Sequence, residues 1–235
     1  IDIAQAITVD INFTQAIVGT GLTVTASEAF LLIGTDAGNY SIGIPIATDT
    51  ADITPRDLTI TANTGQEKVY GTSDPSDYLY TITGFADGED DTYLDTGVTI
   101  SRVVGEDVGT YTITPTNASD GNYDINFVTA DFTITKSTLT VTAQANTKVY
   151  GGADPGLTYV ITGYQNTDTE ADLDTEVAVL RAVGEDVGTY SITPANASGM
   201  NYDINFVTAD FTITKSMLTV TATADTKVYG GTDPE

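Results

Sequence analysis

The sequence predicts an all-β protein of tandem small domains, Ig-like antiparallel β-sandwiches in an elongated array. Three observations predict it. First, long stretches recur: residues 122–136 read NYDINFVTADFTITK, and residues 201–215 read the same, 79 positions on. Lys-Val-Tyr-Gly starts at Lys68, Lys148 and Lys227, and Gly-Glu-Asp-Val-Gly-Thr-Tyr at Gly105 and Gly184. A period of about 80 residues exceeds the roughly 20–50 of a solenoid unit and suits one small domain per copy. Second, the apolar period is two, as in Leu139-Thr-Val-Thr-Ala143, Tyr123-Asp-Ile-Asn-Phe127 and Phe132-Thr-Ile-Thr135. One face packs, and the other carries Thr, Asp or Asn. Third, turn residues separate these runs at Ser73-Asp-Pro75, Ala86-Asp-Gly88 and Ser119-Asp-Gly121.

Taken in order, residues 1–55 form a partial unit of a different kind. Gly34–Ile42 is a loose copy of Gly105–Ile113, and Ile53–Leu58 matches Ile134–Leu139. Residues 56–136 are the first full repeat and 137–215 the second, while 216–235 carry the opening strand of another. Each full repeat predicts six to seven short strands. Helix is confined to at most one turn near Asp90–Leu94 and Glu170–Leu173; a real helix at the second place would favour β-grasp-like repeats instead. Lys136-Ser137 and Lys215-Ser216 join copies without a Gly/Ser tract, which predicts restricted relative orientation.

Composition removes several functions. There are 33 acidic against 8 basic residues, a formal charge of −25, which disfavours nucleic acid and anionic membranes as partners. No apolar run is long enough for membrane insertion as a helix. The chain lacks Cys and His, which removes thiolate and imidazole metal sites, cysteine nucleophiles and the commonest general base. Glu106 and Asp107 read as strand neighbours facing opposite sides, unable to bracket one bond. The expectation is a protein that is not an enzyme and requires no cofactor.

The motifs together carry a family likeness. Leu139–Ala143, Lys148–Gly151, Asp154-Pro155, Ile161–Tyr164, Gly184–Tyr190, Asn201-Tyr202 and Phe211–Thr214 resemble the MBG repeat, a mostly-beta, glycine-rich module of large bacterial surface adhesins. The first repeat matches at Lys68–Gly71, Ile82–Phe85 and Gly105–Tyr111. Val18–Gly21, Gly34–Tyr40 and Ala51–Pro55 resemble the end of a YDG-type module. The resemblance implies secretion to a bacterial cell surface or extracellular matrix, a stalk role and no enzyme activity. It names no receptor.

Candidate functional residues are few. Lys-Val-Tyr-Gly reads as architecture: Tyr packs, Gly takes a positive-φ turn, and Lys is solvated. The acidic loops are the candidate Ca²⁺ ligands: Asp87, Glu89, Asp91 and Asp95 in the first repeat, and Asp168, Glu170, Asp172 and Asp174 in the second. Hard cations take six to eight oxygens, but neither loop follows the EF-hand or nonapeptide spacing; solvated acid loops are the alternative. The expected partners are neighbouring modules of the same polypeptide. Strand addition between residues 216–235 and the 1–55 unit of an identical chain would extend this to a head-to-tail fibre.

Overall fold

The computed structural model describes residues 4–6, 10–27, 31–40 and 48–234; Ser41 and Ile42, at the end of the loose Gly34–Ile42 copy, lie outside them. The chain divides into two compact units. The first comprises Ile1–Lys68, Ser73–Gly105 and Gly109–Ile134, the second Val69–Thr72, Glu106–Val108 and Thr135–Glu235.

The first unit opens with β1 (Ala4–Ala6), β2 (Asp10–Phe13), β3 (Gly19–Ser27), β4 (Leu31–Ile33) and β5 (Thr48–Ile53). β1 pairs with β4, and β3 lies between β2 and β5, all antiparallel. The first repeat follows as β6 (Arg56–Ala62), β7 (Gln66–Val69), β8 (Tyr80–Thr83), β9 (Thr99–Arg102), β10 (Gly109–Thr116), β11 (Tyr123–Val128) and β12 (Ala130–Thr135). These form a three-stranded sheet, β11-β6-β8, and a four-stranded sheet, β7-β12-β10-β9. Alternation along β6 buries Leu58, Ile60 and Ala62, and the facing sheet contributes Ile113, Phe132 and Ile134. β6 lies against β10, so the two sheets share this core.

The second repeat has the same plan. Its strands are β13 (Ser137–Ala143), β14 (Asn146–Val149), β15 (Tyr159–Thr162), β16 (Ala178–Arg181), β17 (Gly188–Ala195), β18 (Tyr202–Val207) and β19 (Ala209–Thr214). The sheets are β15-β13-β18 and β14-β19-β17-β16. Ala143 from the first meets Ile192, Phe211 and Ile213 from the second, with Leu157, Val179 and Tyr190 around them. Closeness of strands demands glycine at two equivalent corners. A Cβ on Gly84 (φ +111°) would stand 2.4 Å from the Asp57 carbonyl, and one on Gly163 (φ +102°) 2.6 Å from that of Thr138.

The expected antiparallel Ig-like sandwich is corrected in one respect: the repeats are all-β and two-layered, but their sheets are mixed. β6 runs parallel to β11, β13 to β18 and β14 to β19. A period of two marks strands of either direction, so the pattern does not reveal which way a neighbour runs. The helix a β-grasp reading needs is absent: Asp91–Tyr93 and Glu170–Asp172 are each one 3-10 turn. Both turns fall where one was expected. Residues 215–228, which include the expected opening strand, form no regular structure, and Leu218 (87% exposed) and Val220 (88%) stand open. Their counterparts in β13 are held between β15 and β18.

Candidate functional site

Two groups of polar side chains recur in the repeats. The first is built on Lys-Val-Tyr-Gly. Contrary to the solvated role expected for them, Lys68 and Lys148 are buried, each at 8% exposure. Alternation along β7 and β14 turns each lysine inward while its valine faces out. A buried ammonium needs a partner, and the Asp-Pro turn supplies it: Lys68 lies 2.7 Å from Asp74, and Lys148 lies 2.6 Å from Asp154. An arginine from the opposite edge strand of the same sheet, β9 or β16, closes the group. Arg102 donates from Nε and Nη2 to the two oxygens of Asp74 at 2.8 and 2.9 Å, and from Nη1 to the Gly105 carbonyl at 2.7 Å. Arg181 repeats this on Asp154 and the Gly184 carbonyl. In the second repeat Glu185 joins both Lys148 and Arg181. The guanidinium carbons sit 5.4 Å from the Phe132 ring centre and 4.9 Å from that of Phe211, within cation–π range.

The electrostatics follow from these contacts. Arg102 beside Asp74 holds its carboxyl well below the usual carboxylate range. Arg181, then Lys148, lower Asp154 to about 2. The Asp154 and Glu185 bonds in turn push Lys148 up. The ion pairs of each group form inside its own repeat, so the group braces the fold.

The second group joins tyrosines to acids, and it absorbs several of the candidate Ca²⁺ ligands. In the first unit, Tyr123 donates its O–H to Glu89, accepts from the Ala86 N–H at 2.9 Å, and meets the Phe85 ring edge-on. In the second unit, Tyr202 donates to Asp168 at 2.6 Å and accepts from the Gln165 N–H. Asp168 also accepts from Tyr70 at 2.8 Å, and the Tyr70 and Tyr202 rings meet edge to face at 5.5 Å. Burial raises both tyrosine pKa values. Glu170 accepts instead from Tyr159, whose pKa is pushed up to about 12 by that bond.

The other candidates scatter. Asp87 and Asp91 are exposed, in a turn and in the Asp91–Tyr93 turn. Asp95 and Asp174 are exposed on the loops that follow the two 3-10 turns. Asp172 caps its own turn, accepting from the Thr169 N–H at 2.8 Å. Asp168 and Asp172 border a cavity of about 230 Å³ with Tyr70, Asp107 and Asn201, whereas Glu170 and Asp174 border another with Tyr159. Among the described residues, no three or more His, Cys, Asp or Glu side chains are grouped to hold a metal ion. Glu106 and Asp107 sit in the loop ahead of β10, not on a strand as expected.

Sequence reasoning missed the roles of Asp74, Arg102 and Asn201. The signal was present: with 8 basic residues in the chain, a Lys–Asp–Arg set retained in both copies is a pattern. A search of curated proteins gives no match. A family model described as the MBG domain, YGX type, matches residues 58–133 and 139–212. Those two segments make up more than half of the chain, which therefore belongs to the MBG domain family.

Proposed function

We propose that the chain is a non-catalytic structural segment of a secreted bacterial adhesin or surface fibre, a stiff stalk or spacer for adhesion or extracellular matrix. MBG repeats are typical of bacterial surface proteins. The observation that carries the reading is strand direction. β13 and β14 open the second repeat and run parallel to β18 and β19, which close it. Tension applied at Ser137 and Lys215 slides each parallel pair along its own length, so the ladder bonds resist together instead of opening singly. The charges matched within each repeat fit the same role. On this reading residues 1–55 are the C-terminal part of a YDG-like module. The test is binding of the purified chain to cells, glycans and matrix proteins. A spacer gives no saturable binding; saturable binding to any of these would make it a binding module instead.

A second reading rests on the tail. Leu218 and Val220 are exposed in a strand-forming sequence that has no ladder, and an unpaired segment of this kind adds readily to a sheet edge. Pairing of residues 216–235 with the 1–55 unit of an identical chain would give a head-to-tail filament. Electron microscopy of the chain with and without Met217–Glu235 tests it: fibres that need the tail support it, and fibres that persist without it refute it.

A further inference from the structure

We propose that Tyr150, Asp186 and Val187 form a docking surface whose occupant is a further MBG module following Lys215 in the same polypeptide. The inference deepens the spacer reading, on which it rests, by naming the joint.

The argument comes from two contacts of one pattern. Within the first unit, the Val18 N–H donates to Asn122 Oδ1 at 3.0 Å. Within the second unit, the Val108 N–H donates to Asn201 Oδ1 at 2.8 Å, and Asn201 Nδ2 donates to Asp107 at 2.9 Å. Each asparagine opens an Asn-Tyr-Asp strand, and each takes a backbone donor from sequence that precedes its repeat. In the second unit the contact has a further part: Tyr70, from the first repeat's Lys-Val-Tyr-Gly, reaches Asp168 and packs on Tyr202. Gly71 makes room, since a Cβ there would meet the Gln165 side chain at 2.4 Å.

The second repeat carries each residue of this side of the contact again. Tyr150 stands in the place of Tyr70, Gly151 (φ +82°) in that of Gly71, and Asp186 and Val187 in those of Asp107 and Val108. Their exposure differs in the way an unfilled joint requires: Tyr70 is 6% exposed, Tyr150 52% and Val187 46%. Both asparagine–tyrosine–acid acceptors in the chain are already engaged. The fitting partner is therefore a third copy of that end: an Asn-Tyr-Asp strand start with a carboxylate where Asp168 or Glu89 stands. Apolar burial of the Tyr150 ring drives the contact, and its O–H finds a charged acceptor, a combination that suits tyrosine at interfaces.

The experiment extends the chain, placing a second copy of residues 137–215 directly after Lys215. Tyrosine nitration with tetranitromethane, mapped by mass spectrometry, is read in both chains. In the present chain Tyr150 is modified and Tyr70 protected. In the extended chain Tyr150 becomes as protected as Tyr70, and Asn201→Ala with Asp168→Ala in the added copy restores its reaction. A parallel extension with residues 56–136 supplies Asn122, Tyr123 and Glu89 as an independent acceptor. Tyr150 reacting equally with and without either extension overturns the proposal, and leaves the spacer reading to its own binding test.

Discussion

Arg102 grips Asp74 with two N–H donors, Nε to Oδ2 at 2.8 Å and Nη2 to Oδ1 at 2.9 Å, while a third donor holds the Gly105 carbonyl. The side chain is 5% exposed. Removing the guanidinium takes these donors away and leaves Asp74, whose side chain is 35% exposed, with Lys68 as its remaining cation. Arg102→Ala is expected to cost about 1.5–3 kcal/mol in urea unfolding. Arg102→Lys is expected to recover little, because an ammonium lacks the planar fork. A loss within about 0.5 kcal/mol, the usual range of a surface substitution, would show that the group is ornamental.

The same groups set the acid limb of stability. Asp74 and Asp154 have folded-state pKa values depressed by their arginines, Asp154 to about 2. A depressed carboxyl contributes fully above its unfolded value of about 3.9 and loses that contribution as pH falls through the folded value. Stability should therefore drop between about pH 4 and pH 2. Asp154→Asn should flatten that limb, as followed by denaturant midpoint against pH. An unchanged slope in Asp154→Asn would remove the assignment.

How much of this was legible beforehand differs by element. The duplicated letters and the period of two gave the copies, the strands of the two full repeats and the inward Phe132, Ile134, Leu139 and Val141, because burial alternates whatever the neighbour's direction. The parallel pairing of β6 with β11 was not legible, since it joins strands with four others between them in the chain. The burial of Lys68 was missed for a related reason: its cover, Asp74 and Arg102, comes from a turn and a strand that meet only in the folded sheet. The positive φ of Gly71 and Gly151 was legible from the turn alone.

Tyr164 offers a test of polar accounting. Its ring meets Tyr202 edge-on at 6.2 Å, yet its buried hydroxyl has no hydrogen-bond partner among the described residues. The first repeat has Phe85 in the equivalent place, packed on Tyr123. Tyr164→Phe removes an unsatisfied oxygen and keeps the ring. It should be neutral or stabilising by about 1 kcal/mol, read from the unfolding midpoint. Destabilisation by more than about 1 kcal/mol would mean that the hydroxyl is satisfied.

Calcium should leave the melting temperature unchanged. Glu89, Asp168 and Glu170 already accept tyrosine O–H bonds, and Asp172 caps its own turn. A site of six to eight oxygens would have to break those bonds. A saturable rise in melting temperature with added calcium would reinstate the acidic loops as ligands.

The most direct measurement is extension of a single chain held at its two ends. Each MBG repeat, its opening strands sheared along its closing ones, should release in one discrete step, giving two steps of nearly equal size. About 80 residues at 3.3–3.6 Å each, less the folded span, predict roughly 250 Å of new contour per step. Smooth lengthening at low force, or one step that takes both repeats together, would contradict the account.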